Sequence, residues 1–173
     1  MTLAVRVLGA NASEYASIRQ WRERYIGDNP AKERDYERRE IYRNGVSFQF
    51  AFYRGDELVG SVRFTPVGHG LTLTEELVDL RRWFPPRCRL MEVGRLLLRE
   101  DQRGGRLVTD ALRDCFGWIR ENTAQDGLVA LCRPVFVPLY RRVGARVVEN
   151  DIPAPGDPAK RYSLISMLFK ETL

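Results

Sequence analysis

The stretch LMEVGRLLLREDQRGGRLVTDALRDCFGWI, residues 90–119, holds the clearest succession of structural signals in the chain. Its first nine residues, Leu90 to Leu98, are largely apolar and predict a strand. A basic turn with two glycines follows at residues 103–106. Apolar residues then recur at the spacing of a helix: Leu107, Ala111, Leu112, Cys115, Phe116 and Ile119. The stretch therefore predicts a strand, a glycine turn and a helix, in that order.

Strands and helices also mix on either side of this stretch. Before it we predict a strand over 2–8, a helix starting near Asn11, a hairpin over 46–64 and a helix capped by Thr72 to Glu75. After it we predict strands over 127–132, 145–148 and 162–169, a short helix over 135–142, and a loop over 151–160, which holds three prolines. This mixed order predicts an α/β protein with one mixed sheet covered on both faces. Since the chain has 173 residues and no long linker, we expect a single domain over 1–173.

The charge of the chain favours an anionic partner. Its formal net charge is +5, from 28 Lys and Arg residues against 23 acidic ones, and nearly all of the basic residues are Arg. Arginine binds phosphate and carboxylate groups through two parallel hydrogen bonds. A nucleotide cofactor, an acidic carrier protein or a nucleic acid would fit, and an ordinary solvated surface is the alternative. Few aromatic residues alternate with the arginines, which argues against nucleic-acid binding.

The cysteine and histidine content excludes several classes of protein. The three cysteines are widely spaced, which is typical of a reduced, cytoplasmic protein rather than a disulfide scaffold. The one histidine, His69, argues against a histidine metal site and against a Ser-His triad, so we expect no metal. We find no apolar run of membrane-spanning length, and we expect no signal peptide.

The glycine turn is a candidate phosphate site. Backbone N–H groups at a helix N-terminus attract anions, and glycine lets the backbone approach a ligand closely. Gly104 and Gly105 supply the glycines, and Arg103 and Arg106 add positive charge. A tight strand-to-helix turn with surface arginines is the alternative.

The strand contains two charged residues that are costly to bury without partners, Glu92 and Arg95. Positions three apart on a regular strand face opposite sides. A bulge at Gly94 would bring both side chains to one face and would part the neighbouring strands. A structural ion pair, which could involve Arg63 of the hairpin, is the alternative.

Tyr140 precedes Gly144 near the end of two predicted core strands. Its hydroxyl could protonate a departing thiolate, or it could be a core tyrosine with a satisfied hydroxyl.

The span from Val46 to Val148 resembles the GNAT acyltransferase superfamily. Four segments carry this resemblance: Leu58 to Arg63, Glu92 to Leu98, Gln102 to Leu107 and Leu139 to Gly144. A narrower likeness to acyl-homoserine-lactone synthases and N-acyl amino acid synthases covers Ile18 to Leu98. It rests on Ile18-Arg19, Asp35, Gly60 to Arg63, Leu73 to Leu77 and Glu92 to Arg95.

The resemblance implies a mixed α/β, GNAT-like fold with one central mixed sheet, a splayed strand pair and helices on both faces. It implies a thioester donor in the slot between the splayed strands. The donor's amides would pair with Leu96, Leu97 and Leu98. The donor's phosphate would lie on Gln102, Arg103, Gly104, Gly105, Arg106 and Leu107.

The resemblance also implies the roles of the remaining site residues. Glu92 would be the general base and Tyr140 the general acid. The amine acceptor would be bound by Arg63, Arg95, Arg19 and Asp35.

The leading hypothesis is therefore an N-acyltransferase. It would move an acyl group, most simply a fatty acyl group, from an acyl carrier protein or coenzyme A to the amine of an amino acid-like small molecule. Leu107 stands where the superfamily usually has a small residue, which favours the carrier protein. An acetyl-coenzyme A-dependent acetyltransferase is the first alternative, and a non-catalytic module that binds acyl ligands or nucleic acid is the second.

Overall fold

The computed structural model describes residues 3–9, 13–23, 41–102 and 106–169. In these ranges seven strands form one sheet in the order β1-β2-β3-β4-β5-β7-β6. The strands are β1 Ala4–Leu8, β2 Phe48–Arg54, β3 Glu57–Pro66, β4 Leu90–Leu98, β5 Gly127–Cys132, β6 Arg146–Ala154 and β7 Asp157–Leu168. Neighbouring strands run antiparallel except β4 and β5, which are parallel. The predicted mixed sheet is confirmed.

The described helices lie on both faces of the sheet. They are α1 Ser13–Glu23, α2 residues 41–46, α3 Leu73–Leu77, α4 Arg106–Asn122 and α5 Val137–Arg142. Single 3₁₀ turns cover Leu80–Arg82, Glu100–Gln102 and Pro134–Phe136. Helices α4 and α5 share the main apolar core, whereas α1 and α3 cover separate, smaller clusters. None of the helices in these ranges is long and apolar enough to cross a membrane.

The main core lies between α4 and one face of the sheet. The apolar stripe of α4 is buried there as the sequence predicts. Aromatic rings of the sheet fill the space opposite, and the Phe50 and Phe64 rings meet edge to face with centroids 5.2 Å apart. This packing fixes the position of β4, which carries the candidate catalytic residue.

Strands β4 and β5 separate part of the way along. They pair only at Leu90 with Gly127, Met91 with Leu128 and Glu92 with Val129. Both strands then continue, β4 to Leu98 and β5 to Cys132, without further pairing to each other. The expected splayed pair is therefore present, and Glu92 lies at its apex.

A bulge in β4 lies just beyond that apex. Opposite β3, Ser61 pairs with Leu97 but Arg63 pairs with Gly94, so β4 has one residue more than β3 in this interval. The left-handed backbone is at Arg95, with φ of 53°, rather than at Gly94. Before the bulge Met91 and Val93 pack on the main core, and after it the core residues are Leu96 and Leu98. The bulge thus shifts by one residue the alternation of side chains that face toward and away from the main core. As predicted, Arg95 therefore lies on the same face of β4 as Glu92.

The prediction of a loop over 151–160 was wrong. Strand β6 runs to Ala154, a two-residue turn follows, and β7 begins at Asp157. Prolines are compatible with these strands because β6 is an edge strand and its pairing with β7 is irregular there.

Candidate active site

Buried polar side chains form a strip across the face of the sheet opposite the main core. The strip consists of Gln49, Ser61, Arg63, Thr65 and Glu92, each at most 7% exposed. Cross-strand pairing makes them neighbours, since Gln49 pairs with Arg63 and Thr65 pairs with Glu92. Buried polar groups are costly unless they have hydrogen-bond partners, so such a strip is typical of a binding or catalytic site.

Glu92 is held at one of its two carboxylate oxygens. Its Oε2 accepts hydrogen bonds from the backbone N–H and the hydroxyl of Thr74, both at 2.6 Å. Its Oε1 has no donor among the described residues, and it lies 3.6 Å from where a Cβ on Gly94 would be. The glycine therefore leaves room at the carboxylate oxygen that could accept a proton.

The segment that carries Thr74 is fixed by its own hydrogen bonds. Thr72 and Glu75 form the predicted capping box of α3. Glu75 also accepts from the backbone N–H groups of Gly68 and Gly70, at 2.8 and 3.0 Å. Burial alone would raise the pKa of Glu75, but these hydrogen bonds outweigh it and lower that pKa. The Glu75 carboxylate thus holds the loop over 68–72 in place through these hydrogen bonds.

Helix α2 contacts the strip through Asn44, a residue that sequence analysis missed. The Asn44 Oδ1 accepts from Arg63 Nη1 at 3.2 Å and from Gln49 Nε2 at 3.1 Å. Beside it, the hydroxyls of Ser47 and Thr65 lie 2.8 Å apart. No single polar residue of α2 or β2 stands out in the sequence, so only the tertiary structure identifies this contact.

Helix α1 contributes Arg22, a second residue that was missed. Arg22 is 4% exposed, and its Nη2 donates to Ser61 Oγ at 3.4 Å. The predicted substrate ligand Arg19 lies on the same helix but is exposed. A signal for Arg22 was present, because it follows Ile18 by four residues and so continues the apolar face of α1.

Tyr140 lies on α5 and is 5% exposed in the main core. Burial raises its pKa well above the ordinary value of 10.0, and the nearby Cys132 and Glu92 raise it further. Burial also raises the pKa of the Cys132 thiol, to about 11. Tyr140 is therefore protonated at neutral pH, close enough to feel the charge of Glu92.

The predicted donor residues follow along β4 and into α4. Leu97 and Leu98 pair with β3 on one side. On the other side, β4 beyond Glu92 faces the gap opened by the divergence from β5. Gln102 ends a 3₁₀ turn, and Arg106 begins α4. The side chain of Arg106 is 90% exposed, and its Nε lies 3.5 Å from Asp110 Oδ2.

The remaining predicted residues are only partly described. Leu96 and Leu107 are half-buried against the main core, and Arg95 is half-buried at the bulge. Asp35, Arg103, Gly104 and Gly105 lie outside the described residues. In the described ranges, no group of three or more His, Cys, Asp or Glu side chains is arranged to hold a metal ion.

Comparison with known proteins identifies the fold. No protein-family model and no curated protein matches the chain. Among solved structures, FeeM, an N-acyl amino acid synthase from uncultured soil microbes, is similar with a TM-score of 0.68 at 14% identity, over 94% of this chain and 89% of that one. NAA60 of Arabidopsis thaliana, in complex with acetyl-CoA, gives a TM-score of 0.63 at 16% identity, over 97% of this chain and 99% of that one.

A third similar structure is the ribosomal-protein-S5-alanine acetyltransferase of Vibrio fischeri. Its TM-score is 0.62 at 13% identity, and the match covers 99% of this chain and 95% of that one. Identities this low establish the architecture alone. Together with the splayed β4–β5 pair and the helices on both faces, they show that this chain has the GNAT fold.

Proposed function

We propose that this protein is an N-acyltransferase that moves an acyl group from a thioester to an amine. The observation that carries the proposal is the position of Glu92. This carboxylate lies at the apex of the splayed strands, with Oε2 bound by Thr74 and Oε1 beside Gly94. An enzyme that acylates amines needs such a group, because an ammonium must lose a proton before it can attack.

In the proposed reaction, the amine nitrogen attacks the thioester carbonyl carbon. A C–N bond forms and the C–S bond then breaks. Glu92 accepts the proton that the nitrogen loses, directly or through a water molecule. Tyr140, whose hydroxyl keeps its proton at neutral pH, donates that proton to the departing thiolate.

The donor would lie along the free edge of β4. Pantetheine contains two amides, which would pair with the backbone of Leu96 to Leu98 as a neighbouring strand would. The phosphate would bind at Gln102, Arg103, Gly104, Gly105, Arg106 and Leu107, where the sequence predicts a glycine turn. The exposure of Arg106 at the start of α4 supports this placement.

The acceptor would lie on the polar strip. Arg63 belongs to the strip, and Arg95 is on the same face of β4. We include Arg19 and Asp35 in this site because the sequence resemblance implies that they bind the acceptor. Arginine side chains favour an acceptor that carries a carboxylate, such as an amino acid. The similarity to FeeM, described as an N-acyl amino acid synthase, supports this substrate class.

The donor's carrier is an acyl carrier protein in our leading proposal, because the net charge of +5 would attract an acidic protein. The alternative is coenzyme A, favoured by the similarity to NAA60 in complex with acetyl-CoA. An acetyltransferase that uses acetyl-coenzyme A is accordingly the second candidate function.

The test is to incubate the purified protein with acyl-carrier protein, acyl-coenzyme A or acetyl-coenzyme A and a panel of amines and amino acids. Mass spectrometry then identifies the acylated product. We expect N-acyl products with wild type and their loss with Glu92→Gln. If no thioester is consumed with any amine while the protein still binds acyl ligands, it is a binding module and the proposal is wrong.

A further inference from the structure

Gln49 has a buried carbonyl oxygen without a donor. The residue is 1% exposed, and its Oε1 accepts no hydrogen bond from the residues that the structure describes. An amide oxygen that is removed from water and left without a donor costs about 1–3 kcal/mol. In a native structure such an atom calls for a specific explanation, and an absent ligand is one.

The hydrogen bonds around Asn44 fix which atom of Gln49 is left over. Arg63 has only donors, so the Asn44 atom that it contacts at 3.2 Å is the oxygen. The same oxygen lies 3.1 Å from the Gln49 amide, so the Gln49 atom there is the nitrogen. Reversing the Gln49 amide would place two oxygens together. The atom without a partner is therefore an acceptor, and only an N–H or O–H group can satisfy it.

Gln49 lies on the same sheet face as the proposed base. It pairs with Arg63, which in turn pairs with Gly94, and Glu92 Oε1 lies beside Gly94. One strand thus separates Gln49 from this oxygen, which corresponds to about 10 Å between the backbones. A small molecule whose amine meets Glu92 can therefore extend across the strip to Gln49.

We propose that Gln49 determines specificity by accepting a hydrogen bond from a second donor group of the acceptor, a hydroxyl or an N–H at the end away from the reacting amine. This inference rests on the proposed function and adds a substrate class to it. Preferred acceptors are amines with a distal hydrogen-bond donor. Because Gln49 is buried, an acceptor that lacks this donor leaves the Gln49 oxygen unsatisfied and is rejected.

The experiment compares α-amino acids whose side chain ends in a hydroxyl with α-amino acids in which a methyl replaces that hydroxyl. The pairs run from serine and 2-aminobutyrate to 2-amino-6-hydroxyhexanoate and 2-aminoheptanoate. Acylation is followed as kcat/KM at fixed thioester, and binding of each free amine is followed by thermal shift. We expect wild type to prefer the hydroxyl-bearing amino acid by about tenfold or more at the chain length that spans the strip.

Three variants make the test specific. Gln49→Met keeps the volume but removes the acceptor, and it should bring the ratio within each pair close to one. Gln49→Glu keeps an acceptor oxygen and should retain the preference. Tyr53→Phe is the control, because it removes another buried atom without a partner on β2, in the apolar cluster under α1.

The outcomes separate this inference from the proposed function. If wild type acylates both series equally at every length, or Gln49→Met keeps the preference, Gln49 does not recognise the acceptor, although the enzyme is an acyltransferase. If wild type acylates neither series nor any other amine, the proposed function fails and this inference fails with it. A preference lost in Tyr53→Phe as well would show a general effect of packing and would overturn the inference.

Discussion

Thr74 donates two hydrogen bonds to a single oxygen of Glu92, one from its backbone N–H and one from its hydroxyl, both at 2.6 Å. The two residues are 18 positions apart, on α3 and β4. The carboxylate is thereby fixed in orientation, and its second oxygen is directed to the space beside Gly94. A base oriented in this way loses little entropy when the amine arrives.

The first prediction concerns Glu92 itself. Glu92→Gln keeps an oxygen that can accept both Thr74 hydrogen bonds, but it removes the base. We expect kcat to fall by about 10²–10⁴-fold. The unfolding temperature should stay close to that of wild type. Near-normal turnover would leave Glu92 with a structural role only.

Thr74 should act as a positioning residue for Glu92. Thr74→Val removes one of the two donors at constant shape and lets the carboxylate rotate. We expect kcat to fall by about 10–100-fold, because small misplacements of reacting groups are costly. The acceptor KM should not change. Thr74→Ser should restore kcat, and failure of this rescue would argue that the hydroxyl has no such function.

Glu75 should make the stability of the protein depend on acid pH. Its pKa is lowered from 4.5 in the folded state, so its contribution is complete above pH 4.5 and is lost as pH falls through the folded-state value. At pH 7, Glu75→Gln should reduce the unfolding free energy by about 1 kcal/mol. Urea unfolding at a series of pH values should show this difference shrinking in acid.

The matched control for Glu75→Gln is Asp56→Asn, which changes a residue in the exposed turn between β2 and β3. It should change stability little at any pH. A constant difference between Glu75→Gln and wild type from pH 7 to pH 3 would contradict the assigned role of the carboxylate.

Gly127 should tolerate no side chain. A Cβ there would lie 2.6 Å from the Met167 carbonyl oxygen and 3.0 Å from the Leu168 Cα, both in the backbone of β7. Gly127→Ala should therefore destabilise the protein by about 1–3 kcal/mol. Gly117→Ala on α4 is the control, since a Cβ there meets nothing within 4 Å. That change should be neutral or stabilising by up to about 1 kcal/mol. Similar unfolding midpoints for the two variants would refute the steric argument.

The last prediction compares carriers. The same acyl chain on an acyl carrier protein should give a higher kcat/KM than on coenzyme A at low salt, because opposite charges speed the encounter. The advantage should fade as ionic strength rises. If coenzyme A is the better donor at low salt, the carrier-protein proposal is wrong.

Elements defined by local signals were predicted well from sequence. The apolar run of β4 and the short buried strand β5 have the predicted limits, 90–98 and 127–132. The capping box at Thr72 is confirmed in both of its hydrogen bonds. These signals depend on neighbouring residues alone, so the sequence contains all the information that they need.

Features defined by tertiary position were predicted only in part. The sequence cannot show that β6 is an edge strand, and only this position makes its prolines acceptable. The polar strip and the helix residues that contact it were predicted only in part. Arg22, Asn44 and Gln49 come from three separate elements, and their proximity depends on the packing of α1 and α2 on the sheet. The bulge was expected at Gly94, but its left-handed residue is Arg95.

The divergence of β4 and β5 also affects how the molecule holds together. In the described structure, the β4–β5 pairing that joins the half-sheet β1–β4 to the half-sheet β5–β7 consists of only three residue pairs. A donor that pairs with the free edge of β4 would act as a short additional strand and bridge the two halves. Donor binding should then slow amide hydrogen exchange along β4 beyond Glu92. It should also raise the unfolding temperature as the donor concentration exceeds its Kd, because the bound substrate stabilises the folded state.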